Sequence, residues 1–336
     1  MPFLDRVSGG LLQARAQQAF ASRNAALLGG NVDAIIGRDA YHPAAEPVRA
    51  ARGGALCGAP GCSSGWLNSW KSRRRPYFEE EWACGGRCLH ALVRASVRRE
   101  AGDAGMEESF APHRHRIPLG LVLLAQGWIT HAQLQTALEA QRASGQRRIG
   151  DWLIERCGIP AERITRGLGV QWNCPVLSLD GFSPAAMALV MPPVLVDEVG
   201  LIPVRIAGKR LLYLASEGAM NAAAALAVER MSGLPVESGL LGERDFAEAR
   251  AAIQKAEAIP VQRSTVPHQD ALCEGMALAI EHCQPIASRL VRIKNFYWLR
   301  LWLESGARKG IGDIPPGAQD VEDHLFSIGT RRANVN

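Results

Sequence analysis

Four cysteines in the first third of the chain have the spacing of metal ligands. They form two close pairs, Cys57 with Cys62 and Cys84 with Cys88, and 21 residues lie between the pairs. Two such pairs can supply four thiolates to one tetrahedral zinc ion, which would stabilise a unit too short to bury much apolar surface. The sequence therefore predicts a structural zinc site, with four unrelated thiols in a loop as the alternative. The cysteines expected to be small core residues are Cys157, Cys174, Cys273 and Cys283.

A second set of residues belongs to a repeat between Pro118 and Gln171. A shift of 30 residues places one copy on the other. The matched pairs are Leu119 with Ile149, Gly120 with Gly150, Leu123 with Leu153, Ile129 with Ile159, Leu134 with Ile164, Leu138 with Leu168 and Gln141 with Gln171. The apolar matches are those expected of a duplicated helical hairpin with a shared core. They do not explain the glycines and glutamines, which bury little apolar surface.

The repeat resembles a known family. Residues 148–155, their tandem arrangement and the segment after them are similar to the N-terminal domain of type II secretion and type IV pilus ATPases, called the MshEN or GspE N-terminal domain. The resemblance covers roughly residues 116–255. It implies a tandem helical subdomain followed by a small ββαβα subdomain, and it implies binding of cyclic di-GMP.

The resemblance assigns the ligand to the two copies of the motif. Cyclic di-GMP has two equivalent halves, so a duplicated site can bind each half with the same groups. Glycine would let a phosphate approach backbone N–H groups, and arginine would add charge-assisted hydrogen bonds. In the first copy Pro118 stands where the second copy has Arg148. The candidate ligand-binding residues are Arg116, Leu119, Gly120, Leu123, Gln141, Arg148, Ile149, Gly150, Leu153 and Gln171.

The pattern of apolar residues, glycines and prolines predicts an α+β chain. The predicted segments are a poorly ordered stretch (1–52), a cysteine-rich zinc-binding-like unit (53–100), a linker (101–115), the tandem helical-hairpin subdomain (116–180), the small ββαβα subdomain (181–258), a helix with a β-hairpin (259–305) and a tail (306–336). The tandem motif is thus expected on helices, with the cysteines ahead of it.

The sequence favours a binding or signalling module over an enzyme. It contains no G-x-x-x-x-G-K-[ST] motif, so the nucleotide-binding loop of the secretion ATPases is missing. No stretch resembles a membrane span or a signal peptide, which makes a cytoplasmic location the default expectation. The predicted partners are cyclic di-GMP and an unidentified protein.

Two alternative functions remain open. One is a protein–protein adaptor of secretion, pilus or envelope-polysaccharide machinery that has lost the ligand. The other is a zinc-ribbon-like nucleic-acid-binding protein that uses the basic run at residues 71–75. A net charge of +5, from 38 Lys+Arg and 33 Asp+Glu, is too mild to indicate nucleic acid by composition. A nucleic-acid partner is therefore not expected.

Overall fold

The computed structural model describes residues 57–63, 76–107, 117–218 and 221–329. All of these residues belong to one compact unit.

Three predictions fall outside the described residues. They concern the disorder of residues 1–52, the basic run at residues 71–75 and the ligand-binding role of Arg116. Within the described ranges, no helix is both long enough and apolar enough to cross a membrane.

The cysteine-rich region consists of a short hairpin and a long helix. The elements are β1 (Tyr77–Phe78), β2 (Glu81–Trp82) and α1 (Gly86–Glu107). Helix α1 continues through the first part of the predicted linker, so residues 101–107 are helical. Glu100 is only 2% exposed, and its carboxylate accepts hydrogen bonds from Arg230 Nη2 at 2.6 Å and Arg292 N at 3.0 Å. Arg230 and Arg292 are far from Glu100 in sequence. The local pattern of glycines gives no sign of these contacts, and for that reason it indicated a linker.

The tandem repeat folds into four helices, as the periodicity predicts. They are α2 (Leu119–Ala125), α3 (His131–Ser144), α4 (Ile149–Cys157) and α5 (Ala161–Trp172). Helix α3 begins at a capping box, because the Thr130 hydroxyl accepts the Gln133 N–H at 3.2 Å and the Gln133 side chain accepts the Thr130 N–H at 2.8 Å. The helices of each hairpin pack mainly against helices of the other hairpin, so the two hairpins exchange partners: α2 lies against α5, and α3 lies against α4. We call these four helices the tandem subdomain.

Two short helices, α6 (Pro184–Val190) and α7 (Pro193–Val199), lead to a three-stranded sheet. The remaining elements are β3 (Leu201–Ala207), β4 (Leu211–Ser216), α8 (Ala222–Ser232), β5 (Val236–Leu240) and α9 (Glu243–Lys255). Strands β3 and β4 are antiparallel, and β5 is parallel to β4. The predicted ββαβα order is therefore confirmed.

A four-stranded sheet completes the described fold. Its elements are β6 (Val261–Val266), α10 (Gln269–Cys283), β7 (Ala287–Ile293), β8 (Phe296–Trp302) and β9 (Val321–Ile328), in the strand order β6-β9-β8-β7. The predicted hairpin is present as β7 and β8. The predicted tail is not: residues 321–328 form an inner strand, parallel to β6 and antiparallel to β8.

Both faces of the β7–β8–β9 part of this sheet are buried, so residues 259–305 are not a separate unit. One face, which includes Trp298 and Leu325, shares a core with the three-stranded sheet. The other face, which includes Leu299 and Phe326, packs with α1 and α10. The cysteine-rich region therefore shares its core with the end of the described chain, and it does not depend on a metal alone for its packing.

A buried ion pair joins the two inner strands of the sheet. Arg300 donates Nε and Nη2 to the two carboxylate oxygens of Asp323, both at 2.8 Å, and donates Nη1 to Leu189 O at 3.0 Å. Trp298 Nε1 donates to Asp323 at 2.9 Å. Both charged side chains are 0% exposed. The pair therefore links β8 and β9 to the helix α6 that precedes the other sheet.

Candidate functional site

The four predicted cysteines come together in space. One sulfur atom from each of Cys57, Cys62, Cys84 and Cys88 lies within 4.8 Å of the others. The Sγ atoms of Cys62 and Cys84 are 3.7 Å apart, and those of Cys84 and Cys88 are 3.3 Å apart. Sulfurs bound to one tetrahedral zinc ion at about 2.3 Å stand about 3.8 Å from one another. The four thiols therefore have the arrangement that a single metal ion requires.

The local chain geometry also suits a metal centre. The first pair of cysteines lies on a turn closed by the Cys62 N–H, which donates to Ala59 O at 3.1 Å. The Cys84 backbone N–H points at Cys57 Sγ from 3.3 Å. Cys88 lies in the first turn of α1, where the positive end of the helix dipole favours a thiolate. These N–H groups and the dipole would stabilise the negative charge of bound thiolates.

Ionisation of the Cys88 thiol is opposed while no cation is bound. The hydrogen bond from Cys84, followed by burial, raises the pKa of the Cys88 thiol. A divalent cation reverses this effect, because it binds thiolates and displaces their protons. The arrangement of the four thiols therefore suits metal binding.

The glutamines of the tandem motif connect the two copies. Gln141 Nε2 donates to Arg147 O at 2.8 Å, and Gln171 Nε2 donates to Ile117 O at 2.6 Å. Each accepting carbonyl stands just ahead of the first helix of the other copy. The two bonds are thus equivalent under the 30-residue shift, and they give the tandem subdomain a pseudo-twofold arrangement. Sequence reasoning identified these residues but assigned their hydrogen bonds to the ligand.

The motif glycines have a packing role in the structure. A Cβ on Gly120 would stand 2.6 Å from Leu134 Cδ1, and one on Gly150 would stand 2.9 Å from Ile164 Cγ2. Each glycine is buried against the second helix of its own copy, so the space in front of its Cα is occupied by an apolar side chain. A larger side chain at 120 or 150 would therefore require Leu134 or Ile164 to move.

A small residue also lies in the second helix of each copy. A Cβ on Gly167 of α5 would stand 2.5 Å from Leu123 Cδ2 of α2. Ala137 occupies the equivalent position of α3 and is 0% exposed. Small side chains at these two positions allow the exchanged helices to approach closely.

The candidate ligand-binding residues differ in their access to solvent. Leu123 and Leu153 are 0% exposed and belong to the core of the tandem subdomain, while Leu119 and Ile149 are partly buried at its edge. Arg148 is exposed. Its guanidinium has no hydrogen-bond or ion-pair partner among the described residues. Of the candidates that the structure describes, Arg148 is therefore the one with a charge free to meet a ligand.

Arg148 extends toward the three-stranded sheet. A Cβ on Gly218, in the loop after β4, would stand 3.7 Å from Arg148 Nη1. The neighbouring Arg147 is differently engaged, because it pairs with Glu155 and stacks over the Trp152 ring at 4.9 Å. At the start of α4, the guanidinium of Arg147 is therefore paired, while that of Arg148 has no partner among the described residues.

Comparison with known proteins finds similar solved structures. One is a structure of MshE with cyclic di-GMP, at 25% identity and a TM-score of 0.33, over 40% of this chain and 98% of that chain. Another is the N-terminal domain of XpsE, at 18% identity and a TM-score of 0.23, over 40% of this chain and 90% of that chain. No family model and no curated protein matches the chain. The chain is similar to these two structures over about 40% of its length, and a similarity of this kind is what the tandem motif predicts.

Proposed function

We propose that the chain is a non-enzymatic signalling module whose tandem subdomain binds cyclic di-GMP and relays its binding to a protein partner. The observation that carries the proposal is the pair of equivalent bonds from Gln141 to Arg147 O and from Gln171 to Ile117 O. These bonds hold the starts of α2 and α4 in matching positions. A ligand with two equivalent anionic halves fits such a duplicated surface.

Charge supports the same ligand class. The free guanidinium of Arg148 is exposed at the start of α4, where a phosphate or a guanine edge can accept two hydrogen bonds from it. In the first copy Pro118 replaces this arginine, so the two half-sites are unequal. The second copy is therefore proposed to contribute more of the binding free energy.

The adaptor function is supported by a different observation. Three apolar side chains of the first copy and of the α5 helix packed against it are exposed: Ile117 by 63%, Leu121 by 50% and Val170 by 52%. Exposed apolar surface of this kind is typical of protein contacts. An adaptor would use it with or without a nucleotide.

Replacing Arg148 by alanine is expected to weaken cyclic di-GMP binding by roughly 10- to 100-fold. The loss of a charge-assisted hydrogen bond costs about 1.5–3 kcal/mol. Isothermal titration calorimetry on the full chain measures the change in affinity. The matched control is Arg163→Ala, because this exposed arginine lies in the first turn of α5, beyond the far end of α4, a helix about 13 Å long that begins next to Arg148.

Two results would count against the proposal. If wild-type protein shows no heat of binding at concentrations well above micromolar, the tandem subdomain is not a receptor for this ligand and the adaptor function takes its place. If Arg148→Ala and Arg163→Ala weaken binding equally, the ligand is attracted by general positive charge and not by the motif.

We also propose that Cys57, Cys62, Cys84 and Cys88 hold a structural zinc ion. Sulfur–sulfur distances of 3.3 and 3.7 Å support this, because they lie close to the edge of a zinc–thiolate tetrahedron. Four protein ligands leave no open position, so this ion would stabilise the turn between the cysteines and would not catalyse a reaction.

A further inference from the structure

Three potential ligand atoms meet where the end of α10 approaches β9. Glu322 and His324 are two residues apart in β9, so both side chains project from the same face of the sheet. Cys283 is the last residue of α10, which covers this face. The Sγ of Cys283, a carboxylate oxygen of Glu322 and an imidazole nitrogen of His324 lie within 4.8 Å of one another. The sequence suggested only that Cys283 is a small core residue.

The distances match the edges of a metal tetrahedron. Cys283 Sγ is 3.5 Å from Glu322 Oε2, and His324 Nε2 is 3.4 Å from the same oxygen. Around a tetrahedral zinc ion, with a zinc–sulfur bond of about 2.3 Å and zinc–nitrogen and zinc–oxygen bonds of about 2.0 Å, these separations would be about 3.5 and about 3.3 Å. The three atoms therefore need little movement to bind one ion.

His324 supplies an independent observation. Its side chain is 6% exposed, and its Nε2 atom is buried with no hydrogen-bond partner in the described part of the chain. Its 3.4 Å contact with Glu322 is an ion pair only when the imidazole is protonated. Buried polar atoms are almost always satisfied, so a lone nitrogen aimed at a carboxylate and a thiol calls for a ligand. A metal ion would satisfy it.

We propose that Cys283, Glu322 and His324 form a second metal site, which binds zinc or a similar divalent transition metal. A sulfur, a nitrogen and an oxygen ligand favour such ions over magnesium and calcium, which prefer oxygen alone. Three protein ligands leave a fourth position open. The Glu322 side chain is 30% exposed, so water or a small anionic ligand can reach that position.

The two metal sites are close to the same end of the α1–α10 pair. A Cβ on Gly86, which lies between Cys84 and Cys88, would stand 2.7 Å from Glu281 Oε1, and Glu281 is two residues before Cys283. Metal content must therefore be assigned to each site by substitution. The two sites use different residues, so the assignment is direct.

Elemental analysis of the purified full chain is expected to give about two zinc ions. The open site should exchange its ion first under mild chelation, and added Co²⁺ should then show the visible absorption of a tetrahedral site. His324→Ala and Glu322→Gln are each expected to reduce the metal content to about one ion per chain and to remove this absorption. His131→Ala is the matched control, because His131 is an exposed histidine of α3.

If His324→Ala fails to fold, the zinc content and Co²⁺ absorption of Glu322→Gln test the proposal. This substitution preserves side-chain volume at a partly exposed position. The proposal is overturned if both variants fold, by circular dichroism, and retain the wild-type zinc content and Co²⁺ absorption. It is also overturned if wild-type protein carries a single ion that Cys84→Ser removes.

Discussion

Replacement of Asp323 by alanine is expected to lower the free energy of unfolding by about 3–5 kcal/mol. The Asp323 carboxylate accepts three hydrogen bonds, two from Arg300 and one from Trp298, and it is fully buried. Alanine would leave the Arg300 guanidinium as an unpaired charge in the core, and the cost of that desolvated charge is the source of the effect. Urea unfolding followed by circular dichroism measures the loss.

The matched control for this substitution is an exposed ion pair. Arg263 lies 3.5 Å from Glu198, and their side chains are 54% and 45% exposed. Glu198→Ala should therefore cost less than about 1 kcal/mol, since water screens such pairs. Equal losses in the two variants would contradict the assignment of a structural role to the buried pair.

Replacement of Cys84 by serine is expected to release the ion proposed for the four-cysteine cluster. Zinc binding contributes about 10–16 kcal/mol in zinc-finger peptides, so the loss of one thiolate from four should remove most of this stabilisation. Hydrogen exchange should rise in residues 57–63 and 76–85 while the tandem subdomain remains protected. Elemental analysis and hydrogen-exchange mass spectrometry measure the two effects.

The control for the thiol substitution is Cys174→Ser. Cys174 is partly buried and lies outside the cluster, so zinc content should stay at the wild-type level. Folded wild-type protein that contains no metal, when it is prepared in reducing buffer without chelators, would refute a structural zinc ion at these four cysteines.

The tandem subdomain could be predicted because its signals are local. The helical periodicity, the 30-residue shift and the capping box of Thr130 and Gln133 all act within a few turns of chain. The cysteine cluster could be predicted for a similar reason, since the spacing within each pair limits how far apart the sulfur atoms can be. The structure places both features where the sequence expected them.

The errors arise from polar residues with distant partners. In β9, Asp323 and His324 interrupt the apolar pattern of a buried strand, and the partner that makes burial of Asp323 possible, Arg300, is 23 residues away. Glu100 in α1 is buried by residues more than a hundred positions later. A local pattern contains no sign of such pairing, so both segments looked like exposed chain.

The roles of the motif residues could not be read from the repeat alone. The sequence gives no indication that the two hairpins exchange partners, and this exchange turns Gln141 and Gln171 toward backbone carbonyls of the opposite copy. It also brings small residues such as Gly167 against the leucines of another helix. Ligand contact and internal packing therefore compete as explanations for the same motif, and only the three-dimensional arrangement separates them.

The position of β9 between β6 and β8 fixes an order of events during protein synthesis. Both neighbouring strands leave the ribosome before β9 exists, and until it arrives each has a free edge of unpaired N–H and C=O groups that can template association with other chains. The parallel pairing with β6 closes a loop of about sixty residues, which slows its formation. The sheet therefore cannot close before β9 has been synthesised, and β6 and β8 present unpaired edges in the interval.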